Sequence, residues 1–166
     1  MEIRKVNISE LSAFHKSYSN LAKKLFPEYS PTTLEAFVSQ DKLFGRKFLG
    51  ERIKEGFVWI AEKDGEVVGI LIAGKPFGGI SYAHWLMVDS KHQKQGIATK
   101  LLGAWENEAL KKKAHGLRLD ASECNVPFYK NRGFELIGFF KKGYFGENSY
   151  YLCKNIAEPK EENFLK

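Results

Sequence analysis

The chain has 166 residues, of which 43% are hydrophobic, and its formal net charge is +6. This size favours one domain with a sizeable core over two domains, and the composition is that of an ordinary globular protein. No segment approaches the roughly 20 apolar residues of a membrane span, and the first residues carry no apolar signal-peptide core, so we expect a cytoplasmic protein that does not bind membranes. The positive charge suits a polyanionic ligand, and it equally suits weak attraction to nucleic acid.

The positions of the cysteines and histidines indicate no metal site. Cys124 and Cys153 lie far apart and form no Cys-x-x-Cys pair, so reduced thiols are expected rather than a disulfide or zinc framework. His15, His92 and His115 are scattered without the spacing of metal ligands.

The N-terminal third of the chain predicts one strand and two helical stretches. Residues 2–7 alternate like a strand, and Ser9 fits the N-cap of a helix that runs to about Leu25. The apolar spacing after Pro31 predicts one helix or two short ones, with Gly45 as the candidate break.

The middle of the chain predicts three strands in succession and an amphipathic helix. Two strand-like runs, 57–63 and 66–74, flank Asp64-Gly65, which is the strongest hairpin signal in the sequence. A turn at 76–79 precedes a fourth strand from Ile80 to Val88. The helix that follows presents one apolar face, formed by Ile97, Leu101, Leu102, Trp105, Ala109 and Leu110.

The C-terminal third predicts a strand at 117–121, a short helix at 125–132 and an antiparallel pair at 135–142 and 150–154. The order of elements is therefore β-α-α-β-β-β-α-β-α-β-β. Three successive strands before a strand–helix–strand crossover predict a mixed α/β (α+β) sheet with helices on both faces. We expect a single domain over residues 1–156, followed by a charged, flexible tail over residues 157–166.

A polar loop between the fourth strand and the amphipathic helix is the strongest candidate for ligand binding. It reads Gln93-Lys-Gln-Gly-Ile-Ala98. The first backbone N–H groups of a helix have no partner within the helix, and the helix dipole adds partial positive charge there, so a phosphate group fits this junction. Gly96 lacks a Cβ and lets an anion approach the main chain. The loop lacks the Gly-Lys-Ser/Thr ending of a P-loop, which disfavours nucleotide hydrolysis.

This loop resembles the acyl-CoA-binding signature Gln/Arg-x-x-Gly-x-Gly/Ala of the GNAT superfamily of N-acetyltransferases. About thirty residues after Gly96, Phe128-Tyr129 and Gly133-Phe134 are similar to the second element of that family. The resemblance is sharpest over residues 82–134 and says little about residues 8–55. It implies a mixed, mostly antiparallel sheet whose fourth and fifth strands splay apart, with acetyl-CoA as cosubstrate and no metal.

The resemblance assigns contacts with CoA to three stretches of the chain. The backbone groups of Leu86, Met87 and Val88 are expected to bond the pantetheine amides like an added strand, and the Leu86 N–H to polarise the thioester carbonyl. Ser122 stands where many members have an asparagine that bonds the pantetheine, and Asn125 is the candidate to replace it. The diphosphate is expected at Lys94, Gln95, Gly96, Ile97, Ala98 and Thr99.

Two residues are the candidates for proton transfer. By resemblance, the Tyr129 hydroxyl is directed at the thioester sulfur and protonates the departing thiolate, although a buried tyrosine with its hydroxyl paired elsewhere is the structural alternative. His84 is the candidate base, acting through water, and it shares a strand face with Tyr82. A half-buried histidine with one structural hydrogen bond is the alternative. The acid on the fifth strand, Asp120, is a further candidate whose facing the sequence leaves open.

The acceptor site is expected to be walled by the first two helices and the loop at 143–149. The aromatic residues of these parts are Phe14, Tyr18, Phe26, Tyr29, Tyr144 and Phe145. Aromatic residues at helical spacing usually belong to the core, so they identify no substrate.

The expected function is transfer of an acetyl group from acetyl-CoA to a primary amine, by direct attack. The amine belongs to a small molecule, a protein N-terminus or a lysine. The protein itself is expected to be a monomer or a homodimer. A GNAT-like sensor that binds acyl-CoA without turnover is the alternative, because Tyr82 stands where many members carry a strand carboxylate. A nucleic-acid binder is disfavoured, because the sequence holds no recognisable single-strand or helix-turn-helix motif.

Overall fold

The computed structural model describes residues 1–26, 29–39, 41–42 and 45–164, and these residues form seven strands and six helices. The strands are β1 (Glu2–Lys5), β2 (Val58–Lys63), β3 (Glu66–Ala73), β4 (Ile80–Val88), β5 (Gly116–Ala121), β6 (Glu135–Phe140) and β7 (Ser149–Asn155). The helices are α1 (Leu11–Leu25), α2 (Pro31–Val38), α3 (Arg46–Lys54), α4 (Ile97–Lys111), α5 (Val126–Lys130) and α6 (Glu161–Phe164).

The strands form one mixed sheet in the order β1-β2-β3-β4-β5-β7-β6. Strands β4 and β5 are parallel, whereas β1 with β2, β2 with β3, β5 with β7 and β6 with β7 are antiparallel. The β4–β5 ladder runs from the pair Ile80–Gly116 to the pair Ala83–Leu119, although both strands continue beyond it. The expected mixed sheet and the separation of its fourth and fifth strands are therefore confirmed.

Contacts divide the chain into two compact units. The first unit comprises Met1–Ala73 with Trp85–Trp105, and the second comprises Gly74–His84 with Glu106–Lys166.

The core of the first unit alternates along β3. Ile70 and Ile72 pack in the cluster that α1, α2 and α3 cover. Their neighbours in the strand, Gly69 and Leu71, face the other way. A Cβ built at Gly69 would lie 2.9 Å from Cγ2 of Ile97 and 3.2 Å from Cδ1 of Leu101. Helix α4 thus packs closely on β3 because residue 69 has no side chain.

The turns and caps of the first unit correct one prediction and confirm two. Asn7, not Ser9, caps the first helical segment, because its side chain accepts the Ser9 N–H at 3.0 Å while the Glu10 carboxylate accepts the Asn7 N–H at 2.8 Å. Gly45 separates two helices and is the N-cap residue of the second. Asp64 and Gly65 form the β2–β3 turn, with φ of 53° and 80°.

In the second unit, β6 and α5 are shorter than the sequence predicts, whereas β5 and β7 are each slightly longer. Strand β6 ends at Phe140 rather than at residue 142, and a 3-10 turn over Glu123–Asn125 precedes the short helix α5. On α4, Leu110 is 38% exposed and lies outside the apolar face, whereas the other predicted residues of that face are buried. The expected tail contains α6, and residues 165–166 lie outside the described chain.

Candidate functional site

Side-chain hydrogen bonds and one ion pair fix the conformation of the loop that follows β4. The Asp89 carboxylate accepts the Lys91 N–H at 3.0 Å and pairs with the Lys24 ammonium at 3.1 Å, and these two contacts lower the pKa of Asp89. Further along, the Gln93 amide donates to the Val88 carbonyl and the Gln95 amide to the Lys91 carbonyl, each at 3.3 Å. The loop therefore has a defined conformation before any ligand binds.

The end of this loop presents backbone amides to open space. Lys94 and Gly96 have φ of 60° and 79°, and α4 begins at Ile97. The first bond of the helix joins the Lys100 N–H to the Gly96 carbonyl at 3.0 Å, so the amides of Gly96, Ile97 and Ala98 precede the intrahelical ladder. A Cβ at residue 96 would meet no atom within 4 Å. The exposed loop, its free space and the positive end of α4 fit a diphosphate.

The residues predicted to bind pantetheine lie at the end of β4. Met87 is buried in the core of the first unit, while Leu86 points to the opposite, half-exposed face of the strand. The Val88 carbonyl accepts the Gln93 side chain, and the Asp89 N–H donates to the Val68 carbonyl at 2.9 Å. The strand end is thus held in place, and the contact of its backbone with pantetheine stays a prediction.

A groove of about 670 Å³ beside this loop carries mixed charge. Arg4 pairs with Glu10 at 2.8 Å and with Glu62, and Lys24 pairs with Asp89. Because these opposite charges neutralise each other, the groove is a poorer anion site than the amides at the start of α4.

In the second unit, Tyr129 lies on α5 and is only 8% exposed. Its ring meets Phe128 and Phe134 edge-on, with centroids 5.0 and 5.8 Å away. Burial raises the pKa of Tyr129 and outweighs the opposing effect of the Arg132 charge. The hydroxyl is therefore protonated at neutral pH, as a proton donor must be.

Ser122 and Asn125 lie together before α5. The Asn125 amide donates to the Ser122 hydroxyl at 3.0 Å, and that hydroxyl lies 3.4 Å from the Cys124 sulfur. Both predicted residues are exposed, so their polar groups are accessible to a ligand. Their contact with CoA stays a prediction.

His84 and Tyr82 share one face of β4. Their rings meet edge-on, with centroids 4.9 Å apart. Tyr82 is aligned with Arg118 of β5 in the parallel ladder, which places Asp120, two residues further along β5, on this same face. The facing of Asp120, which the sequence left open, is therefore toward Tyr82.

Asp120 is a partly buried carboxylate with an unused acceptor atom. The Tyr82 hydroxyl interacts with it electrostatically, while its Oδ1 is buried without a hydrogen-bond partner among the residues that the structure describes. Burial raises the pKa of Asp120, although the Tyr82 hydroxyl and the Arg118 charge act in the opposite direction. The sequence named Asp120 as a candidate, but only the parallel alignment of β4 with β5 shows which way it faces.

The loop between β6 and β7 brings Tyr144 to this carboxylate. The Tyr144 N–H donates to the buried Ser149 hydroxyl at 3.1 Å, and the next residue, Phe145, has a left-handed φ of 54°. Burial and the nearby Asp120 charge raise the pKa of the Tyr144 hydroxyl. Non-glycine residues in the left-handed region cost energy and cluster at functional sites.

The aromatic residues predicted on the first helices pack in or against the core of the first unit. Phe14 and Tyr18 are 4% and 1% exposed in the core of the first unit. Phe26 packs against Trp85, with ring centroids 5.2 Å apart, and Tyr29 against Phe37 at 5.3 Å. Phe14 and Tyr18 therefore belong to the core, whereas Phe26 and Tyr29 are partly buried and pack against it, so the role of the first helices in walling the acceptor site stays a prediction.

Within the described ranges, no group of three or more histidine, cysteine, aspartate or glutamate residues could hold a metal ion. Among those same residues, every helix is too short or too polar to cross a membrane.

Comparison with known proteins identifies a family and a fold. Residues 25–142 match the family model of the acetyltransferase (GNAT) domain. A search of curated proteins finds no match to the chain.

Solved structures share the fold at low sequence identity. The PaiA N-acetyltransferase from Thermoplasma acidophilum, solved with coenzyme A, has a TM-score of 0.75 and 19% identity over 93% of this chain and 98% of that one. The ribosomal-protein-alanine N-acetyltransferase from Brucella melitensis has a TM-score of 0.69 and 24% identity, with coverages of 94% and 100%. An aminoglycoside 6'-acetyltransferase of type Ii has a TM-score of 0.73 and 19% identity, with coverages of 96% and 100%.

Proposed function

Because the chain belongs to the GNAT acetyltransferase family, we propose that it transfers an acetyl group from acetyl-CoA to a primary amine by direct attack. The observation that carries this proposal is the turn at Gly96, where the chain has a left-handed φ and open space directly before α4. A bulky anion needs both the exposed amides and the room beside them.

Acetyl-CoA supplies an activated acetyl thioester when it is bound. The amides of Gly96, Ile97 and Ala98 hold its diphosphate, with Lys94, Gln95 and Thr99 around them. Backbone groups of Leu86, Met87 and Val88 hold the pantetheine arm, and Ser122 and Asn125 offer further polar contacts. The exposure of the loop and of Ser122 and Asn125 supports their roles, whereas the buried Met87, Val88 and Ile97 would act through their main chain.

Balancing the protons of the reaction gives a role to the side chains of His84 and Tyr129. An alkylammonium acceptor loses one proton to His84 through water, and its nitrogen then forms a bond to the acetyl carbon as the carbon–sulfur bond breaks. Tyr129 gives its proton to the departing thiolate, and the second proton lost by the nitrogen restores the tyrosine hydroxyl. The products are an acetamide, the CoA thiol and one proton, which His84 returns to water.

The acceptor is an amine on a small molecule, a protein N-terminus or a lysine. The named structural neighbours differ in this respect, since one is a ribosomal-protein-alanine N-acetyltransferase and another acts on aminoglycosides.

Both cysteines are free thiols, which supports a reducing compartment such as the cytoplasm.

A sensor that binds acyl-CoA without turnover is less well supported than an enzyme. In the sequence, the absence of the usual strand carboxylate at Tyr82 favoured the sensor slightly, whereas the presence of Tyr129 favoured the enzyme. The structure supplies a carboxylate on the neighbouring strand, where Asp120 faces Tyr82.

Calorimetry and CoA release together test the proposal. We expect acetyl-CoA to bind the wild type and a panel of amines to elicit release of CoA thiol. Gly96→Glu should abolish binding, because its side chain fills the anion's space with negative charge. Gly78→Glu is the matched control, since Gly78 also has a positive φ and open space but lies in the β3–β4 turn.

Each outcome separates the candidates. Binding with no CoA release for any amine would favour the sensor. Absence of heat on titration of acetyl-CoA, or normal affinity of Gly96→Glu, would refute the diphosphate site.

A further inference from the structure

The end of the β4–β5 ladder in the second unit brings together His84, which the proposed acetyl transfer uses as a base, and Asp120, to which it gives no step. The last ladder pair is Ala83–Leu119, and the next residue of each strand is His84 or Asp120. Asp120 is also aligned with Tyr151 in the antiparallel β5–β7 ladder. At Asp120, β5 is therefore still paired with β7 on one side, whereas on the other side its ladder with β4 has already ended.

The Asp120 carboxylate has capacity for one more strong donor. Tyr82 lies on the same face of the sheet, but none of the described residues donates a hydrogen bond to the buried Oδ1 of Asp120. A partly buried carboxylate without a donor costs free energy, so a structural role alone does not explain this atom.

Arg118, whose charge acts on Asp120, does not fill this position. Arg118 precedes Asp120 by two residues on the same face of β5, but its guanidinium carbon lies 5.3 Å from the centroid of the Tyr151 ring. The guanidinium thus lies over the Tyr151 ring and acts on Asp120 through its charge without a hydrogen bond to Oδ1.

Two tyrosines accompany the carboxylate. Tyr82 shares the face of the sheet with Asp120, and electrostatic interactions link Tyr82, Tyr144 and Asp120. Tyrosine rings attract cations at their faces, and a carboxylate hydrogen-bonds an ammonium strongly. This combination suits a primary ammonium better than an anion or an apolar group.

We propose that Asp120 binds the protonated amino group of the acetyl acceptor, with Tyr82 and Tyr144 at its sides. This inference rests on the proposed acetyl transfer and names its acceptor class, which is amines that are ammonium ions at neutral pH. It also places the acceptor nitrogen beside Tyr82, whose ring packs against the proposed base His84.

The experiment compares Asp120→Asn with the wild type. The substitution keeps the shape of the side chain and removes its charge. Glu135→Gln is the matched control, because Glu135 is an exposed carboxylate of the same unit. NMR titrations with butylamine, alaninamide and kanamycin measure ammonium binding to the CoA-loaded protein and to the protein alone, and thermal unfolding verifies the fold of each variant.

Turnover then separates cation binding from a general structural effect. We expect Asp120→Asn to lower affinity and kcat/KM for the best alkylammonium probe about ten- to a hundredfold. Acetylation of aniline, which is neutral at pH 7, should stay within about twofold, and Glu135→Gln should change neither substrate beyond that range.

Three results would overturn the ammonium site. They are no binding of any probe to the wild type, equal binding to Asp120→Asn, and equal losses for aniline and the alkylammonium. Binding that depends on Asp120 without release of CoA would refute the proposed acetyl transfer and retain the ammonium site.

Discussion

The Lys24 ammonium lies 3.1 Å from the Asp89 carboxylate, so an ion pair joins α1 to the loop that precedes Gly96. The two partners differ in exposure, since the Lys24 side chain is 61% exposed and the Asp89 side chain 14%. Asp89 also accepts the Lys91 N–H, and this backbone bond is the larger cause of its lowered pKa. The loop therefore depends on Asp89 more than on its partner.

Asp89→Ala should cost more than Lys24→Ala. Loss of a cap to a backbone N–H costs about 0.5–2 kcal/mol, whereas an exposed ion pair contributes about 0–1 kcal/mol. We expect Asp89→Ala to lower thermal stability and weaken acetyl-CoA binding, and Lys24→Ala to do little. Thermal unfolding and calorimetry check this, and equal effects of the two variants would contradict it.

Gly69→Ala should destabilise the first unit and disturb the start of α4. The new Cβ would lie 2.9 Å from Ile97 and 3.2 Å from Leu101, and such overpacking costs about 1–3 kcal/mol. Because Ile97 begins α4, weaker acetyl-CoA binding should accompany the loss. Gly103→Ala is the control on the same helix, with no atom within 4 Å, and should stabilise by about 0.5–1 kcal/mol. Equal unfolding temperatures for the two variants would count against close packing at residue 69.

Tyr129→Phe should lower kcat about a hundredfold and leave acetyl-CoA affinity unchanged. The ring remains packed between Phe128 and Phe134, and only the proton donor is lost. Steady-state kinetics and calorimetry measure the two quantities. An unchanged kcat would remove Tyr129 from the acid role.

His84→Ala should remove the part of the pH–rate profile that depends on an imidazole. In the wild type the rate rises as the base loses its proton, and in the variant the rise should move to higher pH, where the free amine itself becomes abundant. The measurement is kcat/KM against pH with one alkylamine. Superimposable profiles would clear His84 of the base role.

Asp120 should make folding stability fall as pH rises through the acidic range. Burial raises its pKa in the folded state above the ordinary value of 3.8, so the folded protein binds more protons than the unfolded chain between these two values. Stability is complete below the ordinary value and decreases up to the raised one. The groups that face Asp120 are Tyr82, His84, Arg118, Tyr144, Tyr151 and Cys153.

Unfolding curves of Asp120→Asn and the wild type across this pH range measure the effect. The variant lacks the titrating group, so the stability difference between the two proteins should grow in the variant's favour with pH. A constant difference would contradict the raised pKa.

Much of the fold follows from local signals in the sequence. The turn at Asp64-Gly65, the break at Gly45 and the limits of β4 are confirmed, because left-handed φ, helix breaking and strand alternation depend on a few neighbouring residues. The errors lie at element ends. Asn7 displaced Ser9 as the cap because Asn7 and Glu10 satisfy each other's backbone groups, and single-residue preferences do not reveal such pairs.

By itself, the sequence determined the succession of the seven strands and the loop with Gly96, since both depend on residues adjacent in the chain. Only the tertiary structure decided that Asp120 faces Tyr82 and that Phe14 and Tyr18 belong to the core. The physical reason is that alternation shows which residues of one strand share a face, but not which strand lies beside it or in what register. That choice depends on contacts between distant parts of the chain, which form only when the sheet and its helices pack together.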